Sequence, residues 1–236
     1  MMQETNVWVA FPSRNPERAK AANSLWQKRG YKTAIWMEPG METVGADYNL
    51  NDKFPGYWLA CNKMVLDITN DSARNRTVVI AADDMHPDPN KSPEDIEHEI
   101  YEKYTDGYCV MQPTGDDKNG MDGVWRICGS PWFGIGWIKE AFEGRGPCPL
   151  PPFAFYGDEA LFEIAKAQGV LWQRNDLNQF HDHWCRTDKF KTKRLDYQKT
   201  NSDLFWDKDK AWFMDQKEKG WPGSGRHQLK GEFLPK

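Results

Sequence analysis

Two adjacent carboxylates, Asp83 and Asp84, close the run Thr77-Val-Val-Ile-Ala-Ala82, and they are the residues best placed in this sequence to do chemistry. An unbroken short apolar run suits a strand buried on both faces, as in a parallel sheet covered by helices. Acids at the carboxyl end of such a strand stand where open α/β sheets place their ligands. Hard oxygen donors there suit Mg²⁺ or Mn²⁺ and leave coordination positions for phosphate oxygens. The plain alternative is an acidic turn after a core strand, helped by Pro87 and Pro89. A second acidic pair, Asp158-Glu159, follows Gly157 at a helix start, where one carboxylate can serve as general base or simply cap the helix. The helix dipole there is expected to depress a carboxylate's pKa. His181 and His183 are spaced to project from one face of an extended segment, with Cys185 two residues on. They are metal-ligand candidates, as is His86, and a His-x-His-x-Cys zinc cluster would need a fourth ligand that is not nearby in sequence.

The elements that position these groups read as α/β. Val7–Phe11 is a strand. Asn15 caps a helix with Pro16 and Glu17 in its first turn, Ala19, Ala22, Leu25 and Trp26 on one face, and Gly30 as its stop. Lys32–Trp36 returns as a strand, which implies a β-α-β unit with a parallel pair. Next come a polar loop to Asn51, a helix over Gly56–Asp67, the buried strand at 77–82, and a capped helix after Ser92 carrying Ile96, Ile100 and Tyr104. Strands are expected at Tyr108–Met111 and Val124–Cys128, a polar turn at Asp116–Gly123, and a loop at Gly129–Gly136. A short helix over Trp137–Phe142, a proline-rich connector at Gly146–Pro152, a helix ending at Gln168 and a last helix over Ser202–Lys219 complete the reading. The tail with Gly220, Pro222, Gly223 and Gly225 reads as loose.

Composition bounds the function. The chain has 236 residues, a formal net charge of −4, 39% hydrophobic content and 12 Trp. That charge argues against a globally basic nucleic-acid binder, while Lys189–Lys199 leaves a local basic patch. Five scattered cysteines without a Cys-x-x-Cys suggest reduced thiols and a cytoplasmic setting. The start lacks the pattern of a signal peptide, and no apolar stretch approaches about 18 residues, so no membrane span is expected.

Taken in order, the β-α-β opening, the strand ending in Asp83-Asp84, the helix-start acids Asp158-Glu159 and the late His181-x-His183 resemble a GT-A fold glycosyltransferase of the family-2-like kind, over roughly residues 6–185. The resemblance implies a mixed, mainly parallel sheet with helices on both faces. It also implies a catalytic domain over 1–185, with a basic, partly helical extension over 186–236 packed on the same domain. It further implies a nucleotide-sugar donor, UDP-sugar favoured, and Mn²⁺ or Mg²⁺ as cofactor. Pro12, Ser13 and Arg14 match the nucleotide-binding edge, and Asn62 lies in a segment resembling the helix before the metal-binding strand. Asp83-Asp84 resembles the Asp-x-Asp motif, with Met85 in the third place, so that Asp84 would hold metal and Asp83 the nucleotide or metal. His183, or else His181, would complete the metal shell, Asp158 or Glu159 would receive the acceptor proton, and Trp132 would face donor and acceptor. The Asp-Glu order reverses the family's usual Glu-Asp.

The basic run with Phe190, Tyr197, Phe205 and Trp206 nearby suggests one acceptor, a hydroxymethylated base in phage DNA, which would put the protein in a host cytoplasm. Two rivals remain. A sugar-phosphate nucleotidyltransferase shares the opening but favours a glycine-rich phosphate loop that Pro12–Arg18 lacks. A carbohydrate- or nucleic-acid-binding module would use the tryptophans without a metal.

Overall fold

The computed structural model describes residues 6–116, 124–150, 153–186 and 192–221. Part of the expected turn at 116–123, Pro151 and Pro152, Lys189, Phe190 and Lys191 of the basic run, and the tail from Pro222 lie outside the described residues. A seven-stranded sheet runs through the chain in the order β3-β2-β1-β4-β6-β5-β7. Its strands are β1 (Val7–Pro12), β2 (Lys32–Met37), β3 (Tyr48–Asn51), β4 (Thr77–Ile80), β5 (Val110–Pro113), β6 (Trp132–Gly134) and β7 (Leu171–Arg174). Pairing is parallel except at β6, which runs antiparallel to both β4 and β5. This is the mixed, mainly parallel α/β class expected from the sequence.

Alternation along β1 sends side chains to two cores. Val7, Val9 and Phe11 pack with Ala19, Ala22 and Trp26 of α1 (Pro16–Lys28) and with Ile96 and Ile100 of α3 (Pro93–Lys103). Trp8 and Ala10 face the other way, toward α2 (Tyr57–Asp71), α4 (Ile135–Glu140) and α5 (Gly157–Ala167). Helices therefore cover both faces, and β4 and the Val7–Phe11 run of β1 are buried throughout, which their uninterrupted apolar runs require. The sixth helix, α6 (Asp196–Lys219), is mostly exposed and lies against the segment ahead of α5.

Several expectations need correction. Tyr48–Asn51 is an edge strand rather than loop, and Leu171–Arg174 adds a second edge strand on the far side. Val124–Cys128 is not a strand: Val124–Arg126 forms a 3-10 turn, the Trp125 carbonyl accepts from Gln173 and the Cys128 N–H donates to the Asp158 carbonyl, so this backbone ties neighbours together instead of joining the sheet. The strand lies within the expected glycine loop, at β6. Gly134 and Gly136 there abut the backbone around Gly107, where a Cβ would come within 2.4 Å and 2.6 Å of carbonyl oxygens, so these glycines serve close packing. The final helix begins at Asp196, not Ser202.

Strand order also fixes where a ligand should bind. Starting from β1, the chain moves to β2 and β3 on one side and then crosses to β4 on the other. The carboxyl ends of β1 and β4 therefore flank a topological switch point, the usual crevice for ligands in open α/β sheets. Pro12-Ser13-Arg14 leaves one lip and Asp83-Asp84 the other.

Candidate active site

A cavity of about 540 Å³ opens at this switch point, and its lining includes Pro12, Ser13, Arg14, Asp83, Asp84, His181 and His183 together with Asp158 and Glu159. Four groups from distant parts of the chain thus share one wall-to-wall space.

The first lip is set by local chemistry. Asn15 caps α1, its side chain accepting from the backbone N–H of Glu17 and Arg18, each at 3.1 Å. That cap places Arg18 in the first turn, facing β4. One Arg18 nitrogen, Nη2, lies 2.9 Å from Asp83 Oδ1 and 2.9 Å from Asp84 Oδ2, bridging the two carboxylates. A cation at a helix N-terminus is unfavourable on its own, and the paired acids offset this. The Ser13 hydroxyl donates to Asp83 Oδ2 at 2.5 Å and accepts from the Asn15 N–H at 3.1 Å. Behind the acids, the Trp26 indole N–H donates to the Met85 carbonyl at 3.0 Å, locking the turn onto α1.

The two acids are not equivalent. Burial raises the Asp83 carboxyl to about 6, reinforced by Asp84 and opposed by Arg18 and the Ser13 hydroxyl. Burial also acts on Asp84, but His181, Arg18 and His183 outweigh it and hold that carboxyl well below the usual range. Asp84 is the stronger ion of the pair.

His181 reaches Asp84 through a short antiparallel pairing. The Asp182 N–H donates to the Asp84 carbonyl at 2.8 Å, the His86 N–H to the Phe180 carbonyl at 2.8 Å, and His181 Nε2 lies 3.2 Å from Asp84 Oδ1. Asp116 fixes this segment, accepting from the His181 N–H at 2.7 Å and from Arg186, itself 3% exposed. His183 Nδ1 accepts from the Cys185 N–H at 3.2 Å, and its ring is 4.7 Å from that of His181. His181 is therefore the histidine set against Asp84. His86 faces a neighbouring cavity behind Arg18.

At about 2.1 Å from an ion, two ligands at right angles lie about 3 Å apart, so the Asp84–His181 separation suits two donors to one cation. The donor set, carboxylate oxygen plus imidazole, fits Mn²⁺, and Mg²⁺ less well. Among the described residues no group of three or more His, Cys, Asp or Glu side chains is arranged to hold a metal, which includes the His181, His183, Cys185 set. Any bound ion would take remaining ligands from water or phosphate.

Ahead of α5, Tyr156 adopts φ 61° and ψ 0°, a left-handed conformation uncommon for a side-chain-bearing residue, and turns the chain into the helix. Gly157 follows because the Trp58 indole lies where a Cβ would be, 2.2 Å away. Asp158 and Glu159 occupy the first turn. Burial and the adjacent Asp158 push Glu159 up to about 7, with Lys217 pulling the other way.

Two expected site residues stand elsewhere. Asn62 is 2% exposed and makes a reciprocal pair with the Cys148 backbone, at 3.0 Å and 2.9 Å, a packing role that uses both ends of its amide. Trp132 is 1% exposed in the core, its indole N–H donating to Gln179 at 3.0 Å, so its face is not available to a ligand. Sequence reasoning missed Arg18, Tyr57, Trp58, Tyr156, Trp184, Arg194 and the role of Tyr197 and Trp206 as cavity wall. Only Arg18 carried a signal, as the cation in the first turn of a helix leaving the switch-point strand.

No protein-family model matches the chain, and no curated protein matches it in sequence. Among solved structures it is similar to A197 from STIV, with 13% identity, a TM-score of 0.44 and coverage of 75% of this chain and 85% of that one. It is also similar to a mutant of Drosophila β1,4-galactosyltransferase 7 in complex with manganese, UDP-Gal and xylobiose, with 12% identity, a TM-score of 0.44 and coverage of 82% and 78%. Both likenesses are distant in sequence and in backbone. No helix among the described residues is long and apolar enough to cross a membrane.

Proposed function

We propose that this protein is a metal-dependent glycosyltransferase that moves a sugar from a nucleotide-sugar donor to a hydroxyl acceptor. One observation carries the reading: the switch-point cavity joins an Asp84–His181 pair at 3.2 Å to a helix-start carboxylate, Glu159, raised to about 7. Transfer from a sugar diphosphate needs negative charge neutralised on the leaving group and a proton removed from the acceptor. The two walls supply one function each.

Asp84 and His181 would hold Mn²⁺ or Mg²⁺, with His183 beside them, and Asp83, already bonded to Arg18 and Ser13, would use a remaining lone pair to accept from a ribose hydroxyl. An ion held there would supply Lewis-acid stabilisation to the leaving diphosphate. Pro12, Ser13 and Arg14 form the donor's edge, and the Arg14 and Arg194 guanidiniums, both on the cavity wall, complement phosphate oxygens. Glu159 Oε accepts the proton of the attacking hydroxyl. A carboxyl near 7 is well matched to that task, because it is half ionised at neutral pH yet more basic than an ordinary Glu. Asp158 contributes the like charge that raises it. The aromatic walls Tyr57, Trp58 and Tyr156 limit water around the reacting centre.

Calorimetric titration of UDP, GDP, CDP and ADP, each with Mn²⁺ and with EDTA, tests the donor half. One nucleoside diphosphate should bind in a metal-dependent way, and Asp84→Ala should abolish it. Binding of none of the four, or binding indifferent to EDTA, would overturn the assignment.

A further inference from the structure

Beside Glu159 the cavity is walled by aromatic rings that the donor half does not use. Trp206 of α6 is 43% exposed, although the ring is large and its helix is packed on the domain. Its ring lies 5.1 Å from Phe155 and 5.1 Å from Tyr156, and all three line the same cavity as Asp158 and Glu159. Tyr156 is also held at positive φ, separated from the acidic pair by Gly157 alone. Strain of that kind persists only where the surroundings enforce it, and it is concentrated at sites that bind or react. What enforces it here is α6. Asp209, 5% exposed, accepts from three successive backbone N–H groups, those of Phe153, Ala154 and Phe155, at 2.9–3.0 Å. Phe205 stacks on Phe153 at 3.8 Å, and Phe213 lies 5.2 Å from Tyr156. The helix therefore fixes the loop and sets the half-exposed Trp206 indole on the cavity wall.

The charge around this platform selects its ligand. Asp158, Glu159 and Asp207 all raise the Tyr156 hydroxyl, after burial, so the platform stands in a negative field. Lys217 is the cation felt at Glu159, and α6 itself carries six acids against five lysines. A phosphodiester acceptor would be repelled where its hydroxyl must meet Glu159. A neutral ring bearing several hydroxyls meets no such penalty. Its axial C–H groups stack on an indole face, and its hydroxyls hydrogen-bond to the surrounding carboxylates.

Building on the glycosyltransferase reading, we propose that Trp206, with Tyr156 and Phe155, forms the acceptor subsite and that the acceptor is an uncharged saccharide.

The test is a printed glycan array carrying neutral, sulfated and sialylated glycans, probed with the labelled full chain with and without UDP and Mn²⁺. A single-stranded oligonucleotide containing hydroxymethylcytosine is included as competitor. Binding should be confined to neutral glycans, should fall at least tenfold in Trp206→Ala, and should be largely retained in Trp206→Tyr, which keeps a stacking face. Matched thermal melts of both variants guard against a folding defect. Absence of glycan binding, preference for sulfated glycans or the oligonucleotide, or undiminished binding by Trp206→Ala would each overturn the proposal. Nucleotide titration reads the donor site separately, so loss of glycan binding with intact UDP binding condemns the acceptor assignment alone. The reverse pattern condemns the glycosyltransferase reading.

Discussion

His181 Nε2 stands 3.2 Å from Asp84 Oδ1, joining the end of β4 to a segment almost a hundred residues later in the chain. The contact is directional, because Asp116 and Arg186 hold the backbone on which His181 rides. It predicts an order among histidine variants. His181→Ala should weaken Mn²⁺-dependent nucleotide binding at least about tenfold, the scale seen when ligand geometry is disturbed. His183→Ala, whose Nδ1 is turned to the Cys185 N–H, should cost less. Calorimetry on both variants decides between them, and a larger loss at His183 would reassign the ligand.

Arg18 occupies the position between Asp83 and Asp84 that a cation would compete for. Removing it leaves two mostly buried carboxylates facing each other, at a cost of about 3 kcal/mol, the low end for a broken buried pair because Arg18 is itself partly exposed. Arg18→Met should therefore lower Tm in EDTA, and Mn²⁺ should restore more of the loss than it adds to the wild type. Melting curves at fixed pH with and without metal measure this. Equal metal shifts in the two proteins would mean that Arg18 and the ion do not share a site.

Glu159, pushed up from 4.5 to about 7, predicts two opposite pH effects. Between those values the folded state holds a proton that the unfolded state has released, so stability falls as pH rises through the window. The base role has the other sign, since transfer requires the ionised carboxylate and should climb through about pH 7. Glu159→Gln should raise Tm at pH 8 and leave it nearly unchanged at pH 4.5. It should also lower turnover by roughly 10²–10⁴-fold. A rate limb near 7 that survives in Glu159→Gln would assign the base to another group, Asp158 first.

The parts of this architecture that were legible in sequence are those whose periodicity is unmixed. Val7–Phe11, the capped helix after Asn15 and the apolar run into Asp83 each carry one signal that tertiary contacts reinforce. Tyr48–Asn51 and Leu171–Arg174 escaped because edge strands bury only part of themselves, and their polar residues read as loop. β6 was hidden among glycines that exist for its close approach to Gly107. The start of α6 was missed because its cap is Leu195, whose N–H is met by the Gln198 side chain at 2.8 Å rather than by a polar cap residue. Within the site, acids and histidines advertise themselves by type. Trp132 and Trp206 do not: Trp132 is core because β6 lies inside the sheet, and Trp206 is cavity wall because of the position of α6.

That position rests on Asp209. Its carboxylate satisfies three N–H groups ahead of Tyr156, and charge-assisted bonds of this kind contribute about 1.5–3 kcal/mol each when broken singly. The three share one carboxylate and will not add, so Asp209→Ala should lose about 2–4 kcal/mol in total. Asp209→Asn keeps one acceptor oxygen and should lose less. The more telling effect is local. With the loop released, hydrogen exchange should accelerate at Phe153–Phe155 and along α6, while β1 and β4 remain protected. Nucleotide binding should fall far less than transfer, since the donor edge risks the contribution of Arg194, bonded to Ser202 of α6, whereas transfer loses the positioning of Tyr156 and Glu159. If nucleotide affinity fell in step with transfer, Asp209 would be acting on the whole fold rather than on the acceptor wall.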